Sequence, residues 1–244
     1  AVDWGGYDLV VLRSPWDYAA RRDEFVAWAG RVPRLANPAG VVAWNTDKGY
    51  LRELAGAGVP VVPTSWYAPG GPGWEPDDGG EVVVKPAISA GSVDTGRYDL
   101  ADPQQRLLAT AHADRLLAAG RTVMVQPYLA AVDSYGETAL LHFGGEYSHA
   151  IRKGPMLDGP DLGTPGLYKL EDISPRVPTE AERAVARRVL AAAPPDLLYA
   201  RVDLIAGPDG GPLLVELELT EPSVFLAHDE TAAQRFAAAI AARL

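Results

Sequence analysis

Two runs near the carboxyl end, YARVDLIA and PLLVELEL, alternate apolar and polar residues on either side of GPDGG. Period-two alternation broken by Asp209-Gly210 predicts a β-hairpin with its turn at that pair. A turn centred there sets Asp203 opposite Glu216 and Arg201 opposite Glu218, with all four charges on one face. The other face is Val202, Leu204, Val215, Leu217 and Leu219, an apolar set that reads as core-facing.

The rest of the pattern alternates short apolar runs with helical spacing. Residues 7–13 read as a buried strand running into the polar and aromatic loop Arg13-Ser14-Pro15-Trp16-Asp17-Tyr18. Loops at strand ends carry ligand contacts in α/β proteins, while Trp16 and Tyr18 can equally cap a core. Residues 21–31 have helical spacing, a turn follows at Asn37-Pro38, and Asn45-Thr46-Asp47 reads as the N-cap of a helix carrying Lys48, Tyr50, Leu51 and Leu54. A proline-broken strand at 59–67 leads to the Gly/Pro-rich stretch 68–80, a candidate subdomain boundary. Then come a buried-type strand EVVVKP holding Lys85, the small-residue loop AISAGSVDTG, and a helix over 103–119 with Pro103 at its first position. A strand at 122–129 follows, then a hairpin through Gly144-Gly145 that delivers Arg152 and Lys153. Residues 154–178 lack periodicity and read as a long loop able to order over a ligand. Thr179 and Glu182 form a capping box for a helix to about Ala193, and 230–244 make a final amphipathic helix.

Composition narrows the function classes. The 244 residues are 48% hydrophobic and 22% charged, a globular balance with ample core. There is no apolar run of about eighteen residues and no signal-peptide pattern at the start, so a cytoplasmic protein is expected. A formal net charge of −10 argues against nucleic acid or anionic membranes as partners. The absence of cysteine excludes thiol catalysis, disulfides and zinc–thiolate sites. The four histidines have no metal-ligand spacing, and no Ser-His-Asp arrangement is suggested.

Two carboxylates opposed across a strand pair repel, and a third nearby calls for a cation among them. Hard divalent ions such as Mg²⁺ take a few carboxylates plus substrate phosphates. The bland alternative is a solvated face with an Arg201–Glu218 ion pair of little worth. Likewise Lys85 before AISAGSVDTG is either an edge lysine before an ordinary loop, or a point charge beside backbone N–H groups that close over phosphates. It is not a P-loop, since the lysine precedes the glycines. Taken together, Lys48, Lys85, the Arg152-Lys153 pair and the carboxylate hairpin suit a nucleoside triphosphate with its metal ions.

The ordered set NPAGVVAWNTDK, VVVKPAISAGS, QPYL and RVDL…VELELTEPS resembles the ATP-grasp superfamily, in the branch of glutathione synthetase and the ribosomal-protein glutamate ligases, over nearly the whole chain. The resemblance implies an α/β (α+β) fold with the nucleotide between two α+β subdomains. It divides the chain into a partial N-terminal domain at 1–67, lacking the family's first strand and helix, a small lid subdomain at 68–128, and a C-terminal subdomain with the metal site at 129–244. It further implies that Lys48 and Lys85 contact ATP phosphates under the flap Ser89-Ala90-Gly91-Ser92. Gln126, Tyr128 and Leu129 are then the adenine hinge, and Glu137 aligns with an acidic ribose contact. Asp203, Glu216 and Glu218 match ligands of Mg²⁺, two ions with Mn²⁺ able to substitute, and Arg201 and Lys153 the catalytic cations near the transferred phosphate or the acceptor carboxylate. The implied chemistry is an acyl phosphate attacked by an amine.

The basic cluster of glutathione synthetase is not recognisable in residues 154–178. LRSPWDY, WNTDK, KPAISAGSVDTGRY, YSHAIRKGP and ELELTEPSVFL instead look like the actinobacterial branch that contains a cycloserine-biosynthesis ligase, which closes O-ureido-D-serine into D-cycloserine. Arg13, Ser14 and Glu221 are then the candidate substrate contacts. Two further readings remain: an intermolecular amino-acid or peptide ligase, and a non-catalytic ATP-binding module. The expected partner is a small amino-acid-like substrate, with homo-oligomerisation open.

Overall fold

The protein is described from a computed structural model covering residues 2–77, 79–161 and 172–244. Strands β1 (Val10–Val11) and β2 (Leu35–Ala36) pair in parallel and flank helix α1 (Arg22–Ala29). Helices α2 (Ala39–Asn45) and α3 (Tyr50–Gly56) follow. A four-stranded antiparallel sheet is built from β3 (Ser65–Tyr67), β4 (Glu81–Pro86), β5 (Gly96–Asp99) and, after helix α4 (Pro103–Ala118), β6 (Val123–Pro127), in the order β3-β6-β4-β5. After the short helix α5 (Ala131–Ser134) come β7 (Glu137–Phe143), β8 (Glu146–Lys153), β9 (Ile173–Arg176), α6 (Glu180–Ala192), β10 (Tyr199–Ala206), β11 (Pro212–Glu218) and α7 (Ala232–Ala241). The larger sheet is antiparallel with the order β11-β10-β7-β8-β9. No described helix is long and apolar enough to cross a membrane.

Local chemistry accounts for several boundaries. Asp102 Oδ1 accepts from Gln104 N at 2.8 Å and Pro103 occupies the first position of α4. Thr179 and Glu182 close the expected capping box on α6. Elsewhere the chain departs from its pattern. The strand expected over 7–13 shrinks to Val10–Val11, because its partner β2 offers only two residues. Asn45 and Thr46 end α2 instead of opening the next helix, and only Asp47 caps forward, accepting from Gly49 N at 2.9 Å. The run 59–67 splits: Pro60 and Val62 hydrogen-bond with Leu214 and cover the outer edge of β11, while β3 joins the smaller sheet. The expected loop 154–178 contains β9, an edge strand on β8 that tolerates Pro175. Residues 162–171 of that loop lie outside the described residues.

The carboxylate hairpin has the expected pairing by an unexpected route. Its loop is Gly207–Gly211, closed by Gly207 N donating to Gly211 O at 2.7 Å, with Gly210 at φ 80°. Ala206 therefore pairs with Pro212 and Leu204 with Leu214. A β-bulge then inserts Val215, which restores Asp203 opposite Glu216 and Arg201 opposite Glu218. The bulge exchanges two side chains: Leu214 is buried in the core cluster with Val202, Leu204, Leu217 and Leu219, and Val215, expected there, lines the cleft instead.

That core cluster also takes Val41, Tyr50, Leu51 and Leu54 from α2 and α3, and Met124 from the smaller sheet. Past the bulge, the outer backbone edge of β11 is satisfied by side chains. Asn45 Nδ2 donates to Leu217 O and Asn45 Oδ1 accepts from Leu219 N, both at 2.7 Å, while Leu217 N donates to Tyr50 Oη at 2.9 Å. Asn45 thus serves as a one-residue strand for buried backbone groups that would otherwise be unpaired. Asn45→Ala is expected to lower stability by about 2–4 kcal/mol through those orphaned groups, read as a shift in urea midpoint at unchanged slope.

Candidate active site

A cleft lies between the two sheets, and the strand alternation selects its walls. Val83 and Lys85 of β4 and Gln126 of β6 share one face, since Val83 pairs with Gln126 across the ladder. Arg201 and Ile205 of β10 and Val215, Glu216 and Glu218 of β11 line the opposite wall, with Glu137 of β7 and Lys153 of β8 beside them. The small-residue loop Ser89–Ser92 roofs one end, where Gly91 and Ser92 adopt positive φ of 62° and 58°. Lys48 reaches in from the start of α3: its Nζ donates to Ser89 O at 2.9 Å and lies 3.0 Å from Glu216 Oε1.

The charges form a buried array. Asp203, 1% exposed, takes Arg201 Nε at 2.8 Å on Oδ1 and both Arg201 Nη2 (2.9 Å) and Lys153 Nζ (2.7 Å) on Oδ2. Lys153 also pairs with Glu137 at 2.8 Å, its partner in the β7–β8 register, and Arg201 contacts Glu218. Burial pushes the Asp203 carboxyl up, but Arg201 and Lys153 prevail and hold it at about 2. Burial likewise pushes Glu216 up, and Lys48 and Lys85 bring it below the ordinary range. Glu218 goes the other way, pushed up to about 7 by burial, with Glu216 and Asp203 adding to it against the pull of Arg201.

Two members of the array make no ion pair among the described residues. Lys85 is brought down to about 8, first by burial and then by Lys48 and Lys153, against the pull of Glu216. Glu221, 8% exposed at the exit of β11, is pushed up to about 8 by burial and by Glu218, while the Tyr18 hydroxyl bonds its carboxyl. The cleft therefore offers an anion the uncompensated cation Lys85, and an N–H-bearing group the uncompensated carboxyl of Glu221.

Most of the residues expected from sequence come together here. Lys48, Lys85, Ser89, Gly91, Ser92, Gln126, Tyr128, Leu129, Glu137, Lys153, Arg201, Glu216, Glu218 and Glu221 all line the cleft. Arg13 and Ser14 do not. Arg13 Nη1 donates to Pro222 O at 3.3 Å with its guanidinium over Phe236, and Ser14 is exposed, because the chain turns into a 3-10 helix at Trp16. That turn puts Trp16 in the wall of the cleft and the buried Tyr18 against Glu221. The pattern also missed the apolar walls Val83, Val132, Met156, Ile205 and Val215, since an apolar residue facing a cleft carries the same sequence signal as one facing a core.

As they stand, no group of three or more acidic or imidazole side chains among the described residues forms a metal cage. Asp203 is consumed by Arg201 and Lys153, whereas Glu216 and Glu218 each give only Oε1 to a cation of the chain. The raised Glu218 marks a place still short of positive charge, so the donor set fits a divalent ion held by Glu216 and Glu218 with oxygens of a second ligand completing it.

Comparison with known proteins agrees with this geometry. Over 98% of the chain, the fold matches 80% of a D-alanine–D-alanine ligase from Bacillus anthracis at a TM-score of 0.65 and 15% identity, which identifies the fold as ATP-grasp. The crystal structure of D-cycloserine synthetase DcsG matches all of the chain and 86% of its own length at a TM-score of 0.85 and 41% identity. In sequence, the cycloserine biosynthesis protein DcsG of Streptomyces lavendulae is 44% identical over the whole chain and 85% of that protein. Residues 1–37 match the family model described as D-cycloserine synthetase DcsG, N-terminal domain. The chain is thus an ATP-grasp ligase. It belongs to the DcsG family.

Glu221 makes stability fall with rising pH in the ligand-free protein. A carboxyl whose pKa is raised from 4.5 to about 8 favours folding in its protonated form. That contribution is complete below pH 4.5 and is lost as pH rises through 8. Between pH 6.5 and 8 the loss is about 1–2 kcal/mol, on the order of 5 °C in melting temperature, and Glu221→Gln is expected to flatten that slope when both proteins are melted across the range.

Proposed function

We propose that this protein is a cytoplasmic cyclo-ligase of antibiotic biosynthesis that spends ATP to close O-ureido-D-serine into D-cycloserine. The observation that carries it is the buried array of Lys48, Lys85, Lys153 and Arg201 against Glu137, Asp203, Glu216 and Glu218, in a chain related over its full length to a cycloserine synthetase. Lys85 and Lys48 hold the ATP phosphates against the Ser89–Ser92 loop, and the apolar walls with Gln126, Tyr128 and Leu129 take the base. Glu216 and Glu218 would hold Mg²⁺, or Mn²⁺ in its place, while Asp203 keeps Arg201 and Lys153 in position. When bound, the metal offsets negative charge on the transferred phosphoryl group.

In this proposal a carboxylate oxygen of the substrate attacks the γ-phosphorus and ADP leaves. Lys153 and Arg201 neutralise the charge that develops, from positions already fixed by Asp203 and Glu137. The substrate's N–O nitrogen then attacks the acyl carbon and phosphate leaves; the carbamoyl group on that nitrogen must be hydrolysed to give the free ring. Glu221, backed by the buried Tyr18, holds the substrate's amino end, which keeps its chain folded toward the acyl phosphate. No nucleophile from the protein is required.

With O-ureido-D-serine as the sole amino-acid substrate, ADP and phosphate are expected to appear; phosphate release only after adding a second amino acid would favour an intermolecular ligase instead. Glu216→Gln should reduce turnover by at least about 100-fold, on the scale of losing one charge-stabilising group, with a near-native melting curve. Phosphate binding beside Lys85 raises its pKa from about 8, so ATP binding should take up a fraction of a proton at pH 8 and less at pH 6.5. Calorimetry in buffers of different ionisation enthalpy measures this, and Lys85→Met should abolish the difference.

A further inference from the structure

Two cleft walls, the loop through Ser89–Ser92 and the segment carrying Met156 and Leu157, are both reached at their far ends by one side chain of α4. Arg115, near the end of α4, reaches both: Nη2 lies 2.5 Å from Asp161 Oδ2 and Nη1 lies 3.5 Å from Asp94 Oδ1. Asp94 belongs to the first wall's loop, holds a left-handed φ of 55° and also pairs with Arg121, whose Nη2 donates to Ile88 O at 2.9 Å where that loop begins. Asp161 ends the described part of the second segment, its side chain 12% exposed. Its N–H donates to Tyr98 Oη at 3.2 Å, Tyr98 Oη lies 2.8 Å from His112 Nδ1, and His112 Nε2 faces Asp161 Oδ2 at 3.6 Å. Backbone pairing adds to this, with Arg97 N donating to Gly159 O at 2.9 Å.

The seat is shaped for this contact. A Cβ on Gly96 would come within 2.5 Å of Tyr98 Oη and 2.7 Å of Asp161 N, so only glycine there lets the segment close down. Arg115 itself is half-exposed, and an isolated surface pair of that kind contributes little. A guanidinium shared by two carboxylates from two separate loops, one of them nearly buried, acts as a network whose members depend on one another.

We propose that Arg115 is a positioning residue that couples the two walls: by bridging Asp94 and Asp161 it holds the Ser89–Ser92 loop and the Met156–Leu157 segment in register over the nucleotide end of the cleft. The coupling stands on the ligand-free geometry; its effect on ATP rests on the ligase reading. The first test is hydrogen exchange on the ligand-free protein. In Arg115→Ala, amides of 89–95 and of 156–161 should both exchange at least tenfold faster, and Asp161→Asn should speed 89–95 as well as its own segment. Acceleration confined to the mutated segment overturns the coupling, whatever the reaction proves to be. The second is kinetic: Arg115→Ala should raise the KM for ATP about tenfold with kcat within threefold, Arg115→Lys should recover most of that loss, and Arg115→Ala/Asp161→Asn should be no more than twofold worse than the single variant. A KM within twofold of wild type, or losses that multiply in the double variant, overturns the positioning role. Gly96→Ala, which displaces Asp161 without touching a charge, should reproduce the KM effect. Absence of any ATP binding by the wild type would sink the ligase reading while the exchange result still decides the coupling.

Discussion

The structure is organised around buried charge. Lys48, Lys85, Lys153 and Arg201 are each less than a tenth exposed, and so are Asp203 and Glu221. Removing ions from water costs several kcal/mol each unless partners and hydrogen bonds compensate. The compensation is nearly complete on one wall, where Arg201 and Lys153 share Asp203 and Lys153 also pairs with Glu137, and partial at Glu218. It is left open at Lys85 and at Glu221. Those two places are where binding has most to offer, because a ligand that brings the missing charge repays desolvation already incurred in folding. The arrangement trades stability of the empty protein for preorganised charge in the loaded one.

Holding such an array demands rigid strands, and the chain supplies them by unequal means. The interior strands β10, β7 and β8 are satisfied on both sides by their neighbours. The carboxylate strand β11 lies at the sheet's edge, and its outer backbone groups are met by Pro60 and Val62 before the bulge and by Asn45 and Tyr50 after it. The same α2–α3 segment places Lys48 beside Glu216. The core cluster, the outer edge of the carboxylate strand and Lys48 are therefore held by one segment of the chain.

Much of the site was legible because its signals are local or strictly periodic. Alternation along 199–206 and 212–219 put Arg201, Asp203, Glu216 and Glu218 on one face, and the ladder pairs them as expected. Yet the pairing survived a wrong turn: a five-residue loop replaced the two-residue one, and the bulge at Val215 shifted the register back. Period-two reading has no signal for a bulge, so it sent Val215 to the core and left Leu214 on the wrong face. Arg13 and Trp16 part company within one short loop, since two residues separate the one that packs against Pro222 and Phe236 from the one that lines the cleft.

By itself the sequence determined which strands pair in the large sheet's hairpins, where α4 and α6 begin, and that cationic and acidic groups recur in an order suited to a nucleotide and its metal. These follow from turn chemistry, capping and alternation, all set by residues a few positions apart. Only the tertiary structure decided which charges are paired and which are left wanting. Asp203 is locked between Arg201 on its own strand and Lys153, fifty residues before it, while Glu221 meets Tyr18 from the 3-10 helix at 16–21. The pKa of a carboxyl depends on its distance to water and to other charges, and those distances exist only once the two sheets have closed on one another.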